Sequence, residues 1–162
     1  MITKKMTALL NDQLNFEMHS AYVYLGMVAY ASSLGLNGIA GWFRIQVKEE
    51  LEHAGKFFGY IQQQGGEVEL KDIAAGKIEF ASAASLFEES LKHEKKVTRR
   101  ILDLTAAAKK EDDYATDSFL LWFLNEQVEE EAQITDILQK LTIGGKTGNS
   151  LLILDGILGQ RK

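Results

Sequence analysis

The sequence predicts an all-α protein: a four-helix bundle with a long crossover between its second and third helices, plus a short fifth C-terminal helix. Three observations carry this. No proline occurs in 162 residues, so no long segment is barred from continuous helix. Hydrophobic residues make up 46% and charged residues 25%, a balance that suits amphipathic helices with one buried stripe each. Apolar residues recur at three- and four-residue steps along the chain, interrupted by glycine pairs and an acidic turn. At this length one domain is expected over residues 1–162, with the bundle over about 3–143 and the last helix over about 147–159.

The first helix runs from about Thr3 to Ser33, with Met6, Leu10, Leu14, Ala21, Tyr24 or Leu25, and Val28 on its stripe. Gly35-Leu36-Asn37-Gly38 breaks it. A second pattern of Ile39, Phe43, Val47, Ala54, Phe57 and Ile61 lasts to Gly65-Gly66, so the two helices form an antiparallel hairpin. Glu67 to Phe80 holds Val68, Leu70, Ile73 and Ile78 without sustained helical period. A stretched segment of this length returns the chain along the bundle, so the third helix runs parallel to the second.

Ser85-Leu86-Phe87-Glu88 has the spacing of a capping box, and Ser82 is an equally good cap three residues earlier. The third helix then reaches about Lys109. Glu111-Asp112-Asp113 places acidic residues where a helix N-terminus favours them, and the fourth helix carries Leu120, Phe123, Ile134, Ile137 and Leu141 to Gly144-Gly145. In the tail, Leu151, Leu152, Ile153, Leu154, Ile157 and Leu158 cover nearly every face of a short helix. Such a helix calls for burial all round, against symmetry-related copies or, alternatively, folded back on its own bundle.

Composition excludes several classes. Without cysteine there is no disulfide frame, zinc finger or thiolate-ligated iron–sulfur centre, so any metal must use carboxylate or imidazole. A net charge of −5 and a basic stretch, Lys92 to Arg100, interrupted by His93 and Glu94 argue against nucleic acid as a partner. No apolar run approaches the roughly 18–20 residues that span a bilayer, and the first dozen residues lack a secretory apolar core. A cytoplasmic location is expected, with no membrane partner.

The chemistry lies on the apolar stripes. Glu50 and His53 form a Glu-x-x-His pair that a helix brings to neighbouring positions one turn apart. Alone the pair is weak evidence, but each of the four long helices puts an ionisable residue among its apolar ones. Glu17 falls on the Leu14–Ala21–Tyr24 stripe, Glu50 on Val47–Ala54–Phe57, Glu94 on Phe87–Leu91–Ile101, and Gln127 with Glu130 on Phe123–Ile134–Ile137. Buried carboxylates need a counter-charge, and these stripes carry no Lys or Arg to supply it, so metal cations fill that role. Four carboxylates and one neutral imidazole match two divalent metals, with Fe(II), Mn(II) and Zn(II) all compatible on ligand type.

These residues resemble the ferritin family along the whole chain: the hairpin, the crossover, the second hairpin and the short fifth helix. Glu17, Glu50 with His53, Glu94, Gln127 and Glu130 match a ferritin ferroxidase centre in type and order, with Tyr24 and Trp122 nearby as in non-haem bacterial ferritins. The resemblance implies that Glu50 bridges two irons, that Glu17 and His53 complete the first site, and that Glu94 with Glu130 forms the second. Gln127 would orient water or oxygen species. Glu49, Glu126 and Glu129, together with Glu130, resemble the third iron site of bacterial ferritins, although Glu126 to Glu131 also reads as a solvated acidic face. Asp117 resembles the acidic residue lining threefold pores.

Two departures refine the resemblance. A second Glu-x-x-His is missing from the fourth helix, where Gln127-Val128-Glu129-Glu130 stands, and Leu51 follows the bridging glutamate where bacterioferritins carry a haem-binding methionine. The implied site is asymmetric, and no haem is expected. Of the other residues near the site, Tyr24 could donate a hydrogen bond or an electron, Trp122 and Phe123 are expected in the core, and His19 and His93 outside the site. The implied function is iron storage: Fe(II) is oxidised by O2, with H2O2 as an alternative oxidant, and Fe(III) mineral collects in a homo-oligomeric shell of 24 subunits. The alternative is a non-storage di-iron carboxylate oxidase or peroxidase built on the same bundle.

Overall fold

The computed structural model describes residues 2–145 and 147–162, and its described residues form five helices and no strand. The helices are α1 (Lys4–Ser33), α2 (Asn37–Gln63), α3 (Ala83–Lys110), α4 (Tyr114–Gly144) and α5 (Gly148–Leu158). Their caps explain their starts. Thr3 accepts from the Met6 N–H at 3.0 Å, Asp113 from Thr116 at 3.0 Å, and Thr147 from Ser150 at 3.4 Å. At α3, Ser82 is the cap that forms, and Ser85 completes the reciprocal pair by accepting from the Ser82 N–H at 2.9 Å. Glu88 therefore has no part in the box, because the Ser85 N–H it would have reached already donates to Ser82 Oγ at 3.1 Å.

α1 pairs with α2 and α3 with α4, while α5 touches both α2 and α4. The segment between α2 and α3 returns along α1, as its irregular sequence predicts. Two asparagines one turn apart guide it: Asn11 donates to Glu67 O at 2.8 Å and accepts from Glu69 N–H at 2.8 Å, and Asn15 donates to Glu69 O and accepts from Lys71 N–H, both at 2.7 Å. These side chains stand in for a neighbouring strand and satisfy backbone groups that a structureless loop would leave to water. Further along, Gly26 admits the crossover, since a Cβ there would meet Lys77 O at 2.4 Å.

Two apolar clusters fill the ends of the bundle, one around Phe43, Phe87 and Ile134, the other around Phe57, Ile101 and Phe123. Each fully buried aromatic or large aliphatic residue contributes roughly 1.5–3 kcal/mol. The middle layer between them is polar, and the candidate ligands lie in it.

α5 docks by close approach rather than by full burial. Asp155 Oδ1 accepts from the Ile39 N–H at 2.8 Å, capping an α2 N-terminus whose own N-cap, Leu36, has no side chain able to do so. Gly38 makes room: a Cβ on it would meet Asp155 O at 1.7 Å. Leu154 and Leu158 are buried against the bundle, whereas Leu152, Ile153 and Ile157 stay more than half exposed in the single chain. Of the two homes open to this helix, its own bundle takes one edge and leaves the other bare. No helix among the described residues is long and apolar enough to cross a membrane.

Candidate metal centre

Four helices each bring a carboxylate to the polar layer. Glu17 (α1), Glu50 (α2), Glu94 (α3) and Glu130 (α4) are all at most 2% exposed, and His53 and Gln127 are each at 3%. Helical spacing accounts for the placement. Glu50 and His53, three residues apart, present Oε2 and Nδ1 to each other at 3.6 Å. One ligand atom each from Glu17, Glu50 and His53 lies within 4.8 Å of the others, a spacing one cation could bridge.

Glu94 and Glu130 lie outside that tight group but are tied to the same layer. Gln127 Nε2 donates to Glu94 Oε2 at 2.9 Å and to its backbone oxygen at 3.2 Å, and Tyr24 donates its hydroxyl to Glu94 Oε1. Gln46, fully buried on α2, donates from Nε2 to Glu130 Oε2 at 2.9 Å. On α1, Gln13 Nε2 donates to Glu17 Oε1 at 2.6 Å. Sequence reasoning missed both glutamines, although Gln13 stands four residues before Glu17 and Gln46 four before Glu50, on the same helical face in each case.

The electrostatics describe a cluster short of positive charge. Burial raises Glu17, and burial together with the charges of Glu94 and Glu17 raises Glu50 well above the usual carboxylate range. Burial pushes Glu94 to about 8 and Glu130 to about 7. Burial lowers His53 to about 4, with the Lys56 charge adding to the effect, so its ring is neutral and able to ligate near pH 7. Among the described residues no Lys or Arg forms a salt bridge with any of these four carboxylates.

Two atoms test whether the site fits a metal. Glu17 Oε2 and Glu50 Oε2 are buried with no hydrogen bond from any other residue, and only a proton shared between the two carboxyls can join them, an arrangement that is unfavourable unless something else accepts their lone pairs. A hard or borderline divalent cation satisfies both, with the neutral imidazole beside them. Fe(II) fits this donor set.

The remaining predicted residues fall as follows. Glu49 is held by Arg161 Nη2 at 2.7 Å, Glu126 is half-buried and Glu129 exposed, and these three do not converge as a ligand cluster. His93 lies outside the ligand group, its Nε2 2.8 Å from Ser20 Oγ and its ring edge-on to Tyr24. Asp117, in the first turn of α4, faces Lys109 at 3.9 Å. Phe123 is in the core, but Trp122 is not: it is 40% exposed, with Lys56 Nζ 4.2 Å above its ring and His53 edge-on at 5.5 Å. Phe123 takes the inward direction on α4, and Trp122, about 100° round the helix from it, is left at the edge of the bundle.

Comparison with known proteins agrees with this architecture. The family model described as Ferritin-like domain matches residues 7–143. A protein named bacterial non-heme ferritin from Staphylococcus aureus is 41% identical over 161 residues, 99% of this chain and 97% of its own. Its namesake from Staphylococcus haemolyticus is 40% identical over the same length and shares. Among solved structures, an open pore ferritin from the archaeon Archaeoglobus fulgidus superposes with a TM-score of 0.98 at 43% identity, covering all of both chains. An engineered closed form of the same archaeal ferritin matches equally, with a TM-score of 0.98. With the family model spanning most of its length and relatives above 40% identity along nearly all of it, this chain belongs to the ferritin family.

Proposed function

We propose that the chain, folded as a single domain, is an iron-storage subunit that oxidises Fe(II) with O2 at an intrasubunit ferroxidase centre and deposits Fe(III) inside an oligomeric shell. Fe(II) is the substrate. The first iron takes Glu17, Glu50 and His53, the second takes Glu94 and Glu130, and Glu50 bridges them. Two Fe(II) give one electron each, and the pair with two protons reduces one O2 to H2O2 or, where H2O2 is the alternative oxidant, one H2O2 to two waters. The observation that carries this reading is the pair of unpartnered buried oxygens, Glu17 Oε2 and Glu50 Oε2, beside a neutral His53.

The chain's own residues do the rest. The carboxyls raised by burial hold protons near neutral pH and release them when cations arrive, so loading is coupled to proton release. Gln127 fixes Glu94 through its amide N–H and orients water or oxygen species beside the pair. Tyr24 holds the other oxygen of Glu94 and is the nearest phenol for electron donation. Glu49, Glu126 and Glu129, with Glu130, are the candidate ligands of an auxiliary third iron, which Glu49 can join only on leaving Arg161. The bare edge of α5, at Leu152, Ile153 and Ile157, is covered by copies of itself in a shell of 24 subunits. Cytoplasmic location and the absence of haem follow from the same reading, Leu51 standing where bacterioferritins place their haem methionine.

Size-exclusion chromatography before and after aerobic Fe(II) loading, with iron counted per particle, tests it. A very large particle that takes up far more iron than its carboxylate sites can ligate supports storage. A small oligomer that oxidises Fe(II) but stops at about two irons per chain points instead to a non-storage di-iron oxidase. No fast oxidation at all overturns the ferroxidase assignment.

A further inference from the structure

Two arginines outside the metal centre address it through matching sets of contacts. Arg100, on α3, lies over the Phe16 ring at 4.2 Å, donates from Nη2 to Asp12 Oδ2 at 2.6 Å, and donates from Nε to Gln13 Oε1 at 2.8 Å. Arg161, three residues beyond the end of α5, lies over the Trp42 ring at 4.6 Å, donates from Nη2 to Glu49 Oε2 at 2.7 Å, and donates from Nη1 to Gln46 Oε1. In both sets an aromatic ring carries the guanidinium, an acid anchors one edge of it, and a glutamine receives the other. Each glutamine is at most 1% exposed and passes its N–H to a different ligand carboxylate: Gln13 to Glu17 and Gln46 to Glu130.

The chemistry of the parts gives these chains a direction. A guanidinium has donors and no acceptor, so the glutamine must turn its oxygen toward it. The amide nitrogen then faces a carboxyl oxygen that accepts from it. Without the arginine the amide is free to flip and set oxygen against oxygen. At Glu17 the consequence is visible: Oε1 is taken by Gln13, and Oε2 is left as the unpartnered atom beside Glu50 and His53.

We propose that Arg100 and Arg161 are paired positioning residues of the ferroxidase centre, each fixing a buried glutamine amide so that one oxygen of a terminal ligand, Glu17 or Glu130, is held and that carboxylate is presented to iron. The inference rests on the ferroxidase reading above. It also assigns the segment after α5 a role at the site, since Arg161 reaches Glu130 only while α5 is docked on α2 through Asp155 and Ile39.

The test uses the assembled, iron-free protein and Zn(II), which needs no redox chemistry, with occupancy at the two metal positions read by anomalous diffraction across a zinc series. Gln13→Leu, which changes no charge, should raise the zinc concentration needed at the Glu17–Glu50–His53 position roughly tenfold and leave the Glu94–Glu130 position within about twofold. Gln46→Leu should do the reverse. Arg100→Met should weaken the first position alone, and Arg100→Met added to Gln13→Leu should weaken it no further, because the arginine acts through the amide. Equal weakening of both positions by Gln13→Leu, or full additivity of the two changes, overturns the proposal while leaving the ferroxidase reading intact. A wild-type crystal with no zinc between Glu17, Glu50 and His53 overturns that reading instead.

Discussion

Tyr24 on α1 donates its hydroxyl to Oε1 of Glu94 on α3, so a phenol and a ligand carboxylate from facing helices share one proton-bearing contact. Burial raises the Tyr24 hydroxyl well above its usual range, with the Glu94 charge adding to the effect, so the phenol stays protonated and donates at any working pH. Tyr24→Phe therefore removes a donor without opening much space. It should lower thermal stability by about 1 kcal/mol and slow Fe(II) oxidation by up to about tenfold, while leaving particle size unchanged. Calorimetry and stopped-flow absorbance read the two effects separately.

Glu94 should set a pH dependence of the metal-free protein. Its carboxyl lies at about 8 when folded, against a usual 4.5. A group raised on folding contributes stability that is fully present below its unfolded value and is lost as pH rises through the folded one. Glu94→Gln, which mimics the protonated form, should match the wild type near about pH 4 and exceed it by on the order of 1–3 kcal/mol near about pH 8. Denaturant midpoints across that window check the sign, and a wild type that gains on the variant as pH rises refutes it.

Removing the same side chain altogether separates catalysis from assembly. In Glu94→Ala the second metal position loses a ligand, and Tyr24 and Gln127 lose their carboxyl acceptor while keeping Ser90 Oγ and the residue-94 backbone oxygen. Rapid oxidation should fall at least about tenfold while the assembled particle persists on a sizing column. Dissociation of the particle would show that Glu94 serves the fold first.

Asp155→Ala tests the docking of α5. It leaves the Ile39 N–H without its acceptor at the start of α2, which should lower stability by about 1 kcal/mol. Because Arg161 follows α5, the variant should also loosen Gln46 from Glu130, seen as a weaker second zinc position beside an unchanged first.

Asn11→Leu should release the crossover from α1 where Glu67 and Glu69 attach. Two part-buried hydrogen bonds to the crossover backbone are lost, for an expected destabilisation of roughly 1–3 kcal/mol. Faster amide exchange confined to residues 67–71 would distinguish this from a global effect.

The helices and the polar layer could be read from the sequence because both follow from one period. Glu17, Glu50, His53, Glu94, Gln127 and Glu130 stand on apolar stripes, and a bundle has only one interior for such stripes to share. What depended on choices between equal local chemistries was not readable. Ser82 and Ser85 both look like caps, and only the chain path after Phe80 decides between them. Trp122 and Phe123 are equally apolar, and the rotation of α4 in the bundle decides which of them turns inward. The asparagines that steer the crossover, and the arginines that orient Gln13 and Gln46, act between segments 54 to 115 residues apart in the chain. No local pattern encodes such pairings.

Two oxygens at the heart of the bundle, Glu17 Oε2 and Glu50 Oε2, receive no hydrogen bond from any other residue, and only a proton shared between the two carboxyls can join them. A subunit built this way is incomplete without its cargo, and the cargo becomes a ligand that protects the fold. Any cation bound only by the folded form adds stability with its free concentration, about 2.7 kcal/mol at a hundred times its dissociation constant. Subunits made under iron scarcity would then open more often and meet proteases more readily than those made in plenty. The lifetime of the container would follow the supply of what it stores.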